Sequence, residues 1–331
     1  LDEAITLLTG ASARADKAEI SVEVAYGLRA RANLLMGKWA AAASDAAKAY
    51  GTSAPYSVAD VSQPTFYNAT DNAWIWGIVV TTEDYLAKTG IVNWPSNLCS
   101  LTGMGYTTAA SATDVAYRLI NKNLWAKIPE TDVRKGWWVD EDLHSPVLDN
   151  GLGEDYAYYW ANGMFNGGTF PSKFSPYTNV KFGPDNGTFA DTDNAQDWPL
   201  MRVEEMKLIE AEALGRDNLA TGKQKLEEFV RQYRDPSYTC TAGSLDAFID
   251  EVWFQRRIEL WGEGFALFDI LRLKKPIIRQ GANYPINSTF AEIAAEAPIM
   301  IYRIPEAETS VNSAITEADN NPAAMAPTPV N

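Results

Sequence analysis

The side chains able to do covalent chemistry are few and scattered. The only histidine of the 331-residue chain, His144, stands beside Ser145. A serine hydrolase would need a nucleophile turn around that serine, and Gly-x-Ser-x-Gly does not occur. Carboxylates gather at Asp140, Glu141 and Asp142 and again at Glu154 and Asp155. Such a pair could supply the acid and base of a glycosidase, but acidic loop residues are common, and no catalytic residue is assigned. The run Asp185, Asn186, Gly187 … Asp191, Thr192, Asp193, Asn194 … Asp197 has the composition of a calcium loop. Counted from Asp191, Gln196 and Arg202 fall where the sixth-position glycine and twelfth-position glutamate belong, so solvated turns are preferred. Cys99 and Cys240 form no CxxC pair, which disfavours zinc and leaves a disulfide open. No metal or cofactor is expected.

What the chain has in excess is aromatic surface: 11 Trp and 15 Tyr beside 12 Phe. Indole and phenol rings combine a flat apolar face with a polar edge, which suits recognition. The net charge of −15 repels phosphate backbones and anionic lipid, so nucleic acid is excluded as a partner and flat adsorption on a membrane is disfavoured. No apolar run reaches 18 residues. The first residue, Leu1, already lies in a helical pattern, so further residues are expected before it in the natural protein.

The elements that must position these side chains fall into blocks. Residues 1–51 read as helical, with a hairpin whose first helix ends at Gly37 and whose second opens at Trp39 and runs through Ala42, Ala43, Ala46, Ala47 and Ala49 to Gly51. Small residues at the contact and a glycine turn give a tetratricopeptide-like unit. Residues 73–80 read as a strand, and 113–127 as a helix capped by Thr113 with Val115, Leu119, Ile120 and Leu124 on its apolar stripe. From 128 to 199 no helical period survives, while Pro, Gly, Asn, Asp and aromatics dominate; long irregular stretches in compact proteins are usually functional. Helices return at 200–215, 217–233, 244–261 and 265–274, making two further hairpins.

Four stretches then resemble the SusD/RagB family. Pro199, Leu200, Met201, Arg202 and Glu205, with Leu208-Ile209-Glu210-Ala211-Glu212-Ala213, are similar to its "P-hydrophobic-hydrophobic-R-x-x-E … L-I-x-A-E-A" helix. Arg256, Glu259, Leu260, Glu263, Gly264, Asp269 and Arg272 follow "R-x-x-E-L-x-x-E-G-x-R-x-x-D-L-x-R", departing at Ala266 where the pattern has arginine. Ile304-Pro305 with Glu308, Asn312 and Asn320-Asn321-Pro322 resembles the C-terminal "IP-x-x-E … N" segment. Asp132, Arg134 and Lys173-Phe174 resemble "D-x-R … K-Y", and the first hairpin fits "A-L-R-A … G-x-W-x-x-A". Physically, Arg256 and Arg257 with Glu259 and Glu263, and Asp269 with Arg272, lie on helical faces where they can pair. They are read as structural ion pairs locking hairpins together.

The resemblance implies a mostly α, SusD-like architecture over a single domain, 1–331. Helical hairpins of 1–51 and 200–280 form the scaffold, 52–199 is the loop-rich ligand-binding part, and 281–331 is the C-terminal family segment. It also implies a non-enzymatic outer-membrane lipoprotein on the extracellular face. Such a protein is held by an N-terminal lipid anchor absent from these residues, and passes oligosaccharide to a SusC-like TonB-dependent transporter. A RagB-like peptide binder and a helical-repeat glycosidase are the alternatives. Family members stack sugar rings on aromatics, the apolar C–H face of the sugar meeting the electron-rich ring. The expected ligand-binding residues are Trp94, Trp137, Trp138, Tyr156, Tyr158, Trp160 and Asn162. If 154–166 is extended, alternation puts Tyr156, Tyr158 and Trp160 on one face and Tyr159 on the other, as a stacking platform or as the core of a small sheet. Trp74 and Trp76 are expected in the core, and Trp39, Trp125, Trp253 and Trp261 as packing residues on helices.

Overall fold

A computed structural model describes residues 1–11, 14–85, 87, 97–102, 117–164, 173–283 and 292–323. Trp94 and Thr113 lie outside the described residues. The chain divides into two compact units, one of residues 1–120 and 124–263, the other of 121–123 and 264–331.

In the first unit, α1 (Asp2–Leu8) precedes the hairpin of α2 (Val22–Leu35) and α3 (Trp39–Tyr50). Ser21 caps α2 by accepting from the Val24 amide, and the alanines 42, 43, 46 and 49 of α3 are all buried, so the two backbones approach closely. Asp45, buried between them, accepts from Arg29 at 2.7 Å and from Asn33 at 3.0 Å. A one-turn helix α4 (Val58–Val61) leads to β1 (Trp74–Ile78); after it come α5 (Lys122–Trp125), whose first two residues are assigned to the second unit, a 3-10 turn at Val133–Trp137, α6 (Pro146–Leu152) and α7 (Glu154–Ala161). The strand β2 (Trp198–Arg202) pairs antiparallel with β1, Trp74 opposite Arg202 and Ile78 opposite Trp198. The helix read from residue 200 therefore begins only at Val203, because the preceding residues are committed to pairing with β1. Of the helix read over 113–127, residues 113–116 lie outside the described residues, 117–121 are not helical, and the described helix is the four residues of α5. Leu119 bridges to Thr178 instead, a tertiary pairing that overrides local propensity.

α8 (Val203–Asp217) lies on α3, tied by Tyr50 to Glu210 at 2.8 Å, and on α2 by Arg31 to Glu205 at 2.6 Å. α9 (Leu219–Tyr233) crosses α8 glycine on glycine: a β-carbon on Gly222 would stand 2.3 Å from the Gly215 α-carbon. α10 (Leu245–Glu259), capped by Ser244, completes the scaffold. Cys99 and Cys240 are both free and buried, which answers the open disulfide question, and burial pushes the Cys99 thiol up to about 12.

Residues 177–183 stitch the irregular part together. Their backbone bonds to Arg118 and Ile120 on one side and to Trp137 and Val139 on another, while Lys181 and Gly183 exchange bonds with Thr65. A stretch without regular secondary structure thus satisfies its buried peptide groups. Around it packs an aromatic core containing Phe66, Trp74, Trp137, Trp138, Trp160 and Phe182. A second core, of α2, α3 and α8, holds Val24, Leu34, Met206 and Ile209.

Between the strand, the scaffold and this irregular part lies a sealed charge network. Arg134, Lys181, Arg202 and Arg234 face Asp132, Glu204, Glu259 and Glu263, every side chain buried. Glu259 takes Arg234 at 2.8 Å, Arg134 at 3.3 Å and Arg202 at 3.4 Å. Glu263 takes Lys181 at 2.7 Å and Arg202 at 2.8 Å. Four cations against four anions leave no net charge to desolvate. Burial alone would push the Glu259 carboxyl up, yet the guanidiniums of Arg234, Arg202 and Arg134 hold it well below the usual carboxylate range. Burial pushes the Lys181 ammonium down to about 8 against the pull of Glu263. The family motif does lock elements together, but Glu259 and Glu263 pair with Arg134, Lys181, Arg202 and Arg234 from other elements, not with the neighbouring Arg256 and Arg257. Arg257 lies over the Trp253 ring, 4.8 Å from its centroid.

In the second unit, α11 (Ala266–Arg272) carries the Asp269–Arg272 pair at 2.8 Å. A short ladder joins β3 (Ile277–Ile278) to β4 (Glu292–Ile293), and α12 (Glu306–Thr309) follows Pro305. Asn320 clamps Ile304 reciprocally, its side-chain oxygen accepting from the Ile304 amide at 2.9 Å and its nitrogen donating to the Ile304 carbonyl at 3.1 Å. This gives the "IP … N" spacing a physical cause. Among the described residues no helix is long and apolar enough to cross a membrane.

Candidate functional site

The dense aromatic stretch is helical, not extended. Gly153, with φ +82°, ends α6 and starts α7, and the helical period re-sorts the side chains. Ala157, Trp160 and Ala161 turn inward, while Tyr156, Tyr158 and Tyr159 turn to solvent, 48, 59 and 46% exposed. The Tyr158 and Tyr159 rings meet edge to face at 6.0 Å. The alternation that groups Trp160 with Tyr156 and Tyr158 is therefore wrong, and Tyr159, set aside by it, joins the exposed face. The signal that finds this is the pair of alanines four residues apart, Ala157 three before Trp160 and Ala161 directly after it, which share one helical side with it. Asn162 closes the helix: its side-chain nitrogen donates to the Tyr158 carbonyl at 3.0 Å.

Three of the expected stacking residues are core residues. Trp137, Trp138 and Trp160 are each at most 1% exposed. Trp137 donates to the Val61 carbonyl at 3.0 Å and packs edge-on against Phe66. Trp160 donates to the Ser100 carbonyl at 3.2 Å. Trp138 packs edge-on against Trp261, and its buried indole N–H has no acceptor among the described residues. An indole without an open face offers no stacking surface, so these three are placed as packing residues. Trp74 is buried as expected.

Trp125, read as a packing residue, is only half-buried and lines a groove of about 520 Å³ with Lys135, Asp140, His144 and Asn150. The 3-10 turn Val133–Trp137 and α6 form its walls. Lys135 sits over the Trp125 ring, 4.5 Å from the centroid, and donates to the Ile128 carbonyl at 3.0 Å and to Glu130. The Trp125 indole donates to the Lys135 carbonyl at 3.2 Å. Asp140 accepts from the amides of Asp142 and His144, each at 2.9 Å, in a tight loop that needs positive φ at Leu143. Asn150 donates to the Ser62 carbonyl at 2.9 Å.

The pairing of His144 with Ser145 finds no catalytic geometry. His144 Nε2 lies 2.6 Å from Asp149, whereas the Ser145 hydroxyl is committed to the Gly136 carbonyl and to capping the Leu148 amide. Asp197 of the calcium-like stretch accepts from the amides of Ala69 and Val80. Among the described residues no cluster of His, Cys, Asp or Glu is placed to hold a metal.

Comparison with known proteins places this arrangement. No curated protein matches the chain. A SusD-like carbohydrate binding protein from Bacteroides vulgatus superposes with a TM-score of 0.68 at 21% identity, over 97% of this chain and 64% of that one. A SusD superfamily protein from Bacteroides thetaiotaomicron does so with 0.66 at 19%, over 97% and 65%. A second from Bacteroides vulgatus gives 0.66 at 21%, over 98% and 64%. The chain thus spans about 64% of the length of the first of these relatives. Likeness at this identity speaks for a shared fold. The SusD family model matches residues 122–322, more than half of the chain and including the charge-network motifs of α10 and the Asn320 clamp; the chain belongs to the SusD family.

Proposed function

We propose that this protein binds oligosaccharide at the outer face of the cell without turning it over, and hands it to a SusC-like TonB-dependent transporter. In this reading it is a lipid-anchored outer-membrane protein. The observation that carries the ligand class is the outer side of α7, where Tyr156, Tyr158 and Tyr159 are exposed and the Tyr158 and Tyr159 rings meet edge to face, while Ala157, Trp160 and Ala161 face the core. Rings held by a rigid element stack on a sugar at little cost in conformational entropy. The structural relative described as carbohydrate binding supports the same class. The transporter and the lipid anchor enter through family membership alone.

Calorimetric titration with a panel of soluble oligosaccharides and mixed peptides tests the reading. Binding to one glycan class, weakened about tenfold by Tyr158→Ala combined with Tyr159→Ala, is the expected outcome, since two lost ring contacts of roughly 0.5–1.5 kcal/mol each give that factor. Binding of peptides only replaces the sugar by a peptide. Release of reducing ends from any bound glycan refutes the non-enzymatic reading.

A further inference from the structure

The groove beside Trp125 is distinct in character from the tyrosine face, and its chemistry is one-sided. Of the charges lining it, Lys135 is compensated by Glu130, and Asp132 is taken by Arg134 at 2.6 Å. Asp140 remains, with no cation paired to it among the described residues. Its carboxylate is oriented by two backbone amides on a single oxygen, Oδ1, which leaves Oδ2 as an acceptor. Asn150 commits its nitrogen to Ser62, which leaves its oxygen also as an acceptor. The one ammonium, Lys135, already holds Ile128 and Glu130. The groove therefore presents acceptors, a net negative charge and the edge of an aromatic ring. It asks for a ligand that donates hydrogen bonds and brings no negative charge of its own.

We propose that this groove is a second glycan subsite, taking one or two non-acidic pyranose units whose hydroxyl or amino groups donate to Asp140 and Asn150 beside Trp125. This rests on the oligosaccharide reading above and adds to it a place and a class: neutral or aminated sugars, with uronates and sulfated sugars rejected. The rejection follows from the charge balance, because a carboxylate brought against Asp140 meets a like charge in a partly dehydrated wall. The acceptors are fixed before ligand arrives, so little ordering is needed on binding.

The test is calorimetry on the whole chain with four probes: laminarihexaose, xylohexaose, mannohexaose and a galacturonic acid hexamer. Three proteins are compared: the native sequence, Asp140→Asn with Asn150→Ala, and Tyr158→Ala with Tyr159→Ala. Thermal melting of each variant verifies folding. Asp140→Asn keeps the oxygen that receives the Asp142 and His144 amides, so the loop is retained. The expected result is that a neutral probe binds the native protein at least tenfold more tightly than the galacturonide. The groove variant should lose about tenfold for that neutral probe and narrow the gap to the galacturonide. Undiminished neutral binding in the groove variant, with loss confined to the tyrosine variant, overturns the groove and leaves the oligosaccharide reading standing. Preference of the native protein for the galacturonide, weakened by the groove substitutions, overturns the proposed class. No glycan binding to the native protein removes both readings together.

Discussion

Replacing Glu259 by glutamine keeps the size of the side chain and removes one charge from the sealed network. In the native arrangement Glu259 is the anion shared by Arg134, Arg202 and Arg234, and four cations balance four anions. After Glu259→Gln one buried positive charge has no counterpart, and the new amide nitrogen faces guanidinium donors. Removing one partner of a buried pair costs about 3–5 kcal/mol. For a chain of 331 residues that lowers the melting temperature by roughly 4–7 °C. The double variant with Arg234→Gln restores the balance, so it should cost less than the sum of the singles by more than about 1 kcal/mol, as residues in one network do. The acid limb gives an independent readout. Glu259 has its folded-state pKa held below the usual value, so it adds stability above about pH 4.3 and loses it as the pH falls below that. The variant should therefore lose less stability on acidification than the native protein. Urea denaturation at several pH values measures all three quantities. A single-variant loss under about 1 kcal/mol, the range of solvated surface pairs, or strict additivity of the two substitutions, would refute the sealed network.

Other substitutions probe packing. Gly222→Ala must push α9 off α8, because the added carbon would stand 2.3 Å from the Gly215 α-carbon and 2.9 Å from the Ala211 carbonyl oxygen; a loss of about 1–3 kcal/mol is expected in denaturant titration. The neighbouring indoles should respond differently to phenylalanine. Trp137→Phe breaks the bond to Val61 and strands its carbonyl, costing about 1–3 kcal/mol, whereas Trp138→Phe removes a donor that has no acceptor among the described residues and should cost clearly less. Equal losses at both positions would mean that ring volume, not the indole N–H, sets the difference.

The scaffold was readable because each of its contacts leaves a local mark. The small residues of α3, Ser21 and Ser244 as caps, and the stop after Leu35 are short-range consequences of helix geometry. The charge network was only half readable. Glu259 and Glu263 stand out by their four-residue spacing, which suggests pairing with the nearby Arg256 and Arg257. The actual partners, Arg134, Arg202 and Arg234 with Lys181, come from far along the chain, and no periodicity announces them. The same holds for residues 177–183, whose bonds to 65, 118–120 and 137–139 take residues 119–121 away from the helix that their stripe favours.

The proposed ligand surface was the least legible part, for a reason that Trp160 shows. A cluster of large aromatics has one composition whether it is a platform or a core, and only the backbone period decides which. With period two, Trp160 joins Tyr156 and Tyr158; with period 3.6 it joins Ala157 and Ala161 and disappears inside. Size then favours burial of the tryptophans, since an indole removes more apolar surface from water than a phenol. The tyrosines, whose hydroxyls are content in water, are left outside. Within 154–161 the indole is thus the buried ring, and a reader seeking sugar contacts there should start from tyrosines opposite small residues on a helix. The groove carries the same lesson in reverse. Trp125 is half-exposed because its short helix ends at once, and the polar groups beside it, Lys135, Asp140 and Asn150, are fixed by bonds to Ile128, His144 and Ser62. The buried rings of Trp137 and Trp138 behind them give those bonds a rigid wall, so in the proposed subsite the core residues set how firmly the exposed ones are held.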